Sequence, residues 1–129
     1  MELDFEKKDG LIPAIVQDAR NNEVLMLGFM NKEAVEKTLR TGLVTFYSRS
    51  RKKLWTKGES SGQWLTLREL RFDCDRDALL VRVEMAGVAV CHEGYRSCFF
   101  RRLEPNGSAS VIAQPVLSPE DLYGKGKTQ

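Results

Sequence analysis

The stretch Ile12-Pro13-Ala14-Ile15-Val16-Gln17-Asp18-Ala19-Arg20-Asn21-Asn22-Glu23-Val24-Leu25-Met26-Leu27-Gly28-Phe29-Met30-Asn31 decides how this chain folds. Ile12–Ala19 and Glu23–Met30 are rich in Ile, Val and Leu, and Arg20-Asn21-Asn22 between them is a turn signal, so the pair reads as a β-hairpin. Asn31 then caps a helix over Lys32–Thr41: its side-chain oxygen can accept from an orphan N–H, and Glu33 suits the positive end of the helix dipole. Val35, Thr38 and Leu39 give that helix a modestly apolar face, and Gly42 is placed to stop it.

Outward from this core the pattern stays mostly extended. Leu43–Ser48 reads as a strand, and Trp55–Gly62, with Gly58, Ser60, Ser61 and Gly62, reads as a loop. Trp64–Phe72 has partial period-2 character that leaves a helix open, and Ala78–Met85 is strand-like. Val88–Cys91 and Ser97–Leu103 are shorter strand candidates. The expectation is a small, mainly-β α+β domain with one clear helix, occupying residues 1–104. After Glu104 the composition turns to Pro, Gly, Ser and Lys, so 105–129 is expected to be a surface arm or partly disordered tail.

Composition sets the outer limits. A chain of 129 residues, 42% apolar and 29% charged, is the size and character of one globular domain. Its net charge of +2 is too small to suggest a nucleic-acid partner. The N-terminus lacks a basic region followed by an apolar one, and no apolar run approaches the roughly 20 residues of a membrane span. A cytoplasmic location is expected. The 3 cysteines are an odd number clustered in the second half, which suits metal binding better than a disulfide framework, although small apolar core residues remain the plain alternative.

Three segments can carry chemistry. In Asp73-Cys74-Asp75-Arg76-Asp77, an extended backbone would put Asp73, Asp75 and Asp77 on one face and Cys74 on the other. Three crowded carboxylates repel unless a cation lies between them, and oxygen ligands suit Mg²⁺ or Ca²⁺ whereas thiolates suit zinc. A solvated acidic face is the alternative, and an EF-hand reading fails because Ala78 stands where that loop needs Gly. In Cys91-His92-Glu93-Gly94-Tyr95-Arg96-Ser97-Cys98, two thiols flank a glycine turn, and Cys74 can add a third ligand to leave an open, catalytic position on zinc. His92 is read as a proton carrier beside that site, the alternative being a closed Cys₃His structural shell. Arg49 and Arg51, placed on one face of a strand, with Lys57 and Ser61 in the following loop, can bind phosphate; a solvated basic surface explains them equally well.

Together these residues resemble the phosphoribosyl-AMP cyclohydrolase family of histidine biosynthesis. The matching strings are Phe46-Tyr47-Ser48-Arg49-Ser50-Arg51, Leu54-Trp55-x-Lys57-Gly58-Glu59-x-Ser61-Gly62, Asp73-Cys74-Asp75-x-Asp77 and Cys91-His92-x-Gly94-x-x-Ser97-Cys98-Phe99. The resemblance implies zinc on Cys74, Cys91 and Cys98 and magnesium on Asp73, Asp75 and Asp77. It also implies an intertwined homodimer in which Cys74 completes the zinc site of the partner's Cys91 and Cys98. The implied reaction hydrolyses the N1–C6 bond of the adenine ring in 1-(5-phosphoribosyl)-AMP with zinc-activated water, with no nucleic-acid or membrane partner. A zinc-stabilised nucleic-acid-binding module is the competing class, and it requires the closed Cys₃His shell. A thiol redox protein ranks last, for want of a C-x-x-C motif.

Overall fold

The computed structural model describes residues 1–123. The elements are β1 (Ile12–Asp18), β2 (Val24–Met30), α1 (Lys32–Thr41), β3 (Thr45–Ser48), β4 (Lys53–Thr56), β5 (Leu65–Phe72), β6 (Leu79–Met85), β7 (Arg101–Leu103), β8 (Ala109–Val111) and the short α2 (Pro119–Tyr123). One four-stranded sheet runs in the order β2-β1-β6-β5, and β3-β4 and β7-β8 are separate two-stranded ribbons. β1 pairs antiparallel with β2 and parallel with β6. The expected small, mainly-β α+β domain is the architecture found.

The core follows from alternation. Ile12, Ala14 and Val16 on β1 and Leu79, Val81 and Val83 on β6 are buried, as period-2 side-chain placement requires. Leu25, Met30, Phe46 and Leu65 join them from neighbouring strands. Gly28 is required by Phe46: a Cβ at that position would lie 2.6 Å from the ring's Cδ1. Helix α1 has the expected caps. Asn31 accepts from Ala34 N at 2.8 Å, and Gly42, left-handed at φ 77, donates back to the Thr38 carbonyl. Its inner face is Ala34, Val35 and Thr38, however, while Leu39 is 55% exposed. Thr38 is inside because its hydroxyl oxygen accepts from Thr45 N at 2.9 Å, stitching helix to β3.

Trp64–Phe72 is a strand, and its mixed periodicity has a cause. The β5–β6 register slips between Leu67 and Glu69, a bulge that sets Leu67 and Leu70 at helix-like spacing although both pack on the core. Trp55 and Thr56 lie in β4 where a loop is expected; four residues are too few to display alternation, and pairing with β3 defines them. Val88–Cys91 and Ser97–Phe100 are irregular, and only Arg101–Leu103 of the second candidate is a strand. The stretch after Glu104 contains β8, hydrogen-bonded to β7, and α2, whose Leu122 is buried. The part of the expected tail from 124 to 129 lies outside the described residues. No helix among the described residues is long and apolar enough to cross a membrane.

Candidate active site

The acidic segment is a turn rather than a strand. It connects β5 to β6, with Asp73 N donating to the Ala78 carbonyl at 3.0 Å and Arg76 N to the Asp73 carbonyl at 3.0 Å. Arg76 takes a left-handed φ of 64. The strand alternation expected for Asp73–Asp77 is therefore overturned, but the convergence survives. Asp73, Asp75 and Asp77 each place a carboxylate oxygen within 4.8 Å of the others. Asp73 Oδ1 accepts from Asp77 N at 3.0 Å and Ala78 N at 3.2 Å, so one carboxylate holds the turn that gathers all three. From the N-terminal segment, Lys7 Nζ reaches the Asp75 carbonyl at 3.2 Å and Asp77 Oδ2 at 3.5 Å.

Cys91–Cys98 forms a closed loop. Val90 N donates to the Arg96 carbonyl and Cys91 N to the Tyr95 carbonyl, both at 3.1 Å, and Gly94 N donates to the Cys91 carbonyl at 3.0 Å. Gly94 turns the chain at φ +92, where a Cβ would meet the Leu117 carbonyl at 1.8 Å. That close approach has a partner on the other side, since Val116 N and Leu117 N both donate to the Gly94 carbonyl. Glu93 N points at Cys91 Sγ, 3.4 Å away, an amide placed to stabilise negative charge on sulfur.

Cys98 as a residue is exposed, yet its sulfur turns inward to the Cys91 sulfur and Lys57. Loss of hydration, then the Cys91 sulfur, pushes its pKa from an ordinary 9.0 up to about 11, against the pull of Lys57. Burial lowers the Lys57 pKa, with both thiols opposing the shift. The raised Cys98 value sets a sign. It stabilises the metal-free fold below about pH 9, and that contribution is lost as pH rises through about 11. Deprotonation of these thiols by a metal is therefore coupled to proton release.

Cys74 does not join this pair within the chain. Among the described residues the Asp trio is the sole group of three or more His, Cys, Asp or Glu ligand atoms gathered within 4.8 Å. Neither Cys74 nor His92, which is exposed beside buried Cys91, completes a shell with Cys91 and Cys98 in this chain.

The basic residues are split between two adjoining hollows. Arg49 and Arg51 belong to the β3–β4 turn, not to one strand face, because β3 ends at Ser48 and pairs back through Lys53. Arg51, Lys57, Ser61 and Tyr123 line a cavity of about 290 Å³. Arg49 instead lies over the Phe29 ring at 4.1 Å, in a wider hollow bordered by Tyr47 and Trp55. Ser48 and Trp55 border both. Lys57 thus connects the smaller cavity with the thiol pair. Gln63 Oε1 accepts from Val88 N at 2.9 Å and Ala89 N at 3.3 Å, tying the Lys57–Gly62 loop to the approach of the cysteine loop.

Sequence reading misses Asp18 and Arg96. Asp18 is fully buried at the end of β1, where its carboxylate accepts from Arg20 N at 2.8 Å and from the Arg96 guanidinium. Burial is the largest influence on it and acts upward, yet the Arg20 N–H and Arg96 together hold its carboxyl below the ordinary 3.8. A signal was present: Ile12, Ala14, Val16 and Asp18 share one period-2 face, and an acid in core register requires a cation.

A family-wide sequence profile described as phosphoribosyl-AMP cyclohydrolase matches residues 26–100, which include every site residue expected from the sequence. The chain belongs to the phosphoribosyl-AMP cyclohydrolase family. Relatives bearing that name agree over nearly the whole length. One from Solibacter usitatus is 56% identical over 96% of this chain and 98% of its own. Another, from Desulfatibacillum aliphaticivorans, is 54% identical over 97% and 99%. A third, from Alkalilimnicola ehrlichii, is 59% identical over 88% of this chain and 79% of its own length. The chain is therefore a hydrolase of the cyclic-amidine class, with its place in histidine biosynthesis.

Proposed function

We propose that this chain hydrolyses the N1–C6 bond of the adenine ring in 1-(5-phosphoribosyl)-AMP, as a homodimer with zinc at Cys74, Cys91 and Cys98 and magnesium at Asp73, Asp75 and Asp77. The observation that carries this reading is the pair of thiols facing each other beside Lys57, one ligand short of a three-ligand catalytic site. Cys74 is exposed on the β5–β6 turn, outside the pair's reach in its own chain. A second protomer supplies it. Support for that dimer comes from Phe99, Leu103, Val111 and Ile112, which are 56%, 75%, 59% and 53% exposed around the β7–β8 hairpin just beyond the cysteine loop. Reduced thiols are a condition of the site and suit a cytoplasmic setting.

The donor sets fit both ions: soft sulfur in one loop, three carboxylate oxygens in the other. Zinc, when bound, lowers the pKa of water toward neutrality and so supplies hydroxide for attack at C6, which N1 substitution has made electrophilic. The remaining work falls to side chains. His92, exposed next to Cys91, moves a proton to ring N1 as the bond to C6 breaks, so that the elements of water are added across it. Arg51, Lys57 and Ser61 hold a substrate phosphate in the cavity they line, and Arg49 offers a second cation across the Trp55 ridge. Asp73, Asp75 and Asp77 would hold magnesium, which would supply positive charge for a substrate phosphate. The exposure of His92, and its failure to gather with Cys91 and Cys98, argue against the closed Cys₃His shell of a nucleic-acid module.

Mixed dimers provide the test. Cys74→Ser and Cys98→Ser homodimers each damage both zinc sites. A mixed dimer of the two has one doubly damaged site and one intact site. Co-refolding equal amounts gives about half mixed dimers by random pairing, so ring-opening activity recovers to roughly one quarter of wild type. Activity at background after verified subunit exchange overturns the shared site.

A further inference from the structure

We infer that Arg96 is a positioning residue: its guanidinium fork, clamped between Asp18 and Glu23, holds the Cys91–Cys98 loop in the shape that lets both thiols take one metal ion. The inference rests on the zinc reading above and names the element that maintains that site.

Asp18 is the starting point. An apolar residue would continue the face of Ile12, Ala14 and Val16, and a fully buried carboxylate there is costly unless a cation meets it. The cation comes from far along the chain. Arg96 gives Nη2 to Asp18 and Nε to Glu23, so one planar group binds both arms of the β1–β2 hairpin at once. Its own carbonyl accepts from Val90 N and closes the base of the cysteine loop. The next two residues continue the docking. Ser97 Oγ donates to the Val24 carbonyl at 2.8 Å, and Cys98 N donates to the Leu25 carbonyl at 2.7 Å. Cys98 is thus carried on a segment whose position against β2 begins at the Arg96 fork. The loop has no strand pairing to rigidify it, and the fork is its charged anchor to the β1–β2 hairpin, the Glu93–Arg101 pair at 3.8 Å being exposed and tied to β7 instead. Arg is the residue suited to this role, because its fork meets two carboxylates in one plane and a lysine ammonium is a point charge.

The test uses the full-length dimer and two conservative variants, Arg96→Lys and Glu23→Gln. Arg96→Lys keeps a cation for Asp18 but loses the fork; Glu23→Gln leaves the Asp18–Arg96 pair intact. Zinc affinity is read by chelator competition, and cobalt substitution reports the thiolate-to-metal absorption. Supporting results are a 10- to 100-fold loss of zinc affinity in Arg96→Lys, the usual scale for residues that orient metal ligands, with a weakened cobalt–thiolate band. Glu23→Gln should lose several-fold, and the double variant should lose less than the product of the two because both act through one group. Folding is checked by circular dichroism, and if Arg96→Lys fails to fold, Glu23→Gln alone decides. Folded variants that bind zinc within about twofold of wild type and keep the cobalt band overturn the positioning role and leave the zinc site standing. Wild-type protein that takes up no zinc overturns the metal reading, and this inference with it.

Discussion

The acidic turn and the cysteine loop follow one another across a single strand, yet they are built in opposite ways. Asp73–Asp77 is local: a run of consecutive residues, one left-handed Arg76 and one carboxylate accepting two backbone N–H groups bring three side chains together. Cys91–Cys98 depends on distant chain. Its base is tied to β1 and β2 through Arg96 and Ser97, its tip is held by Leu117, and Gln63 clips its approach. The oxygen site can therefore form wherever the β5–β6 hairpin forms, whereas the sulfur pair requires the whole domain. Damage to packing should reach zinc before it reaches magnesium.

The most severe break in that contrast is Cys91→Ser. It removes a buried sulfur from the proposed three-ligand site, so metal analysis should find zinc lost and the absorbance assay for ring opening should find no activity. His92→Ala should separate chemistry from assembly. Zinc content stays at the wild-type level while turnover falls by roughly 10²- to 10⁴-fold, the range for a proton-transferring group. Gly94→Ala tests the distant anchoring directly. The added Cβ collides with the Leu117 carbonyl in a backbone conformation that disfavours side chains. Thermal denaturation should show a loss of about 1–3 kcal/mol, and zinc affinity should fall while the magnesium titration stays put. Asp75→Asn should act the other way and least strongly: the magnesium midpoint rises roughly tenfold, with zinc content unchanged. Equal loss of both ions in Gly94→Ala would abolish the distinction between a local and an assembled site.

Much of this was legible in the residues because it depends on near neighbours. The hairpin, the Asn31 and Gly42 caps and the β6 alternation all follow from spacing, and the convergence of three carboxylates was expected too, though on a strand face. The geometry within that turn was not legible, because alternation assumes an extended backbone and Arg76 departs from it. Bulges hide in the same way: one extra residue at Arg68 turned a strand pattern into something close to a helical one. What stayed out of reach is pairing across sequence distance. Nothing near Arg96 names Asp18, 78 residues away, as its partner. Only the misfit of an acid in core register pointed to a missing cation.

The parallel contact of β1 with β6 has a consequence for how the chain is made. Ala14 cannot meet Leu79, nor Val16 meet Val81, until the ribosome has delivered most of the domain. Until then the β1–β2 hairpin shows an open strand edge and an apolar face to its surroundings, the condition that invites misassociation. Closing so long a loop is slow compared with forming the hairpin. Arg96 emerges later still, so Asp18 waits in water as an ordinary carboxylate and is enclosed only when its partner arrives. Synthesis thus delivers every strand of the sheet before Arg96, and the cysteine loop is the last of these segments to reach the hairpin it docks on.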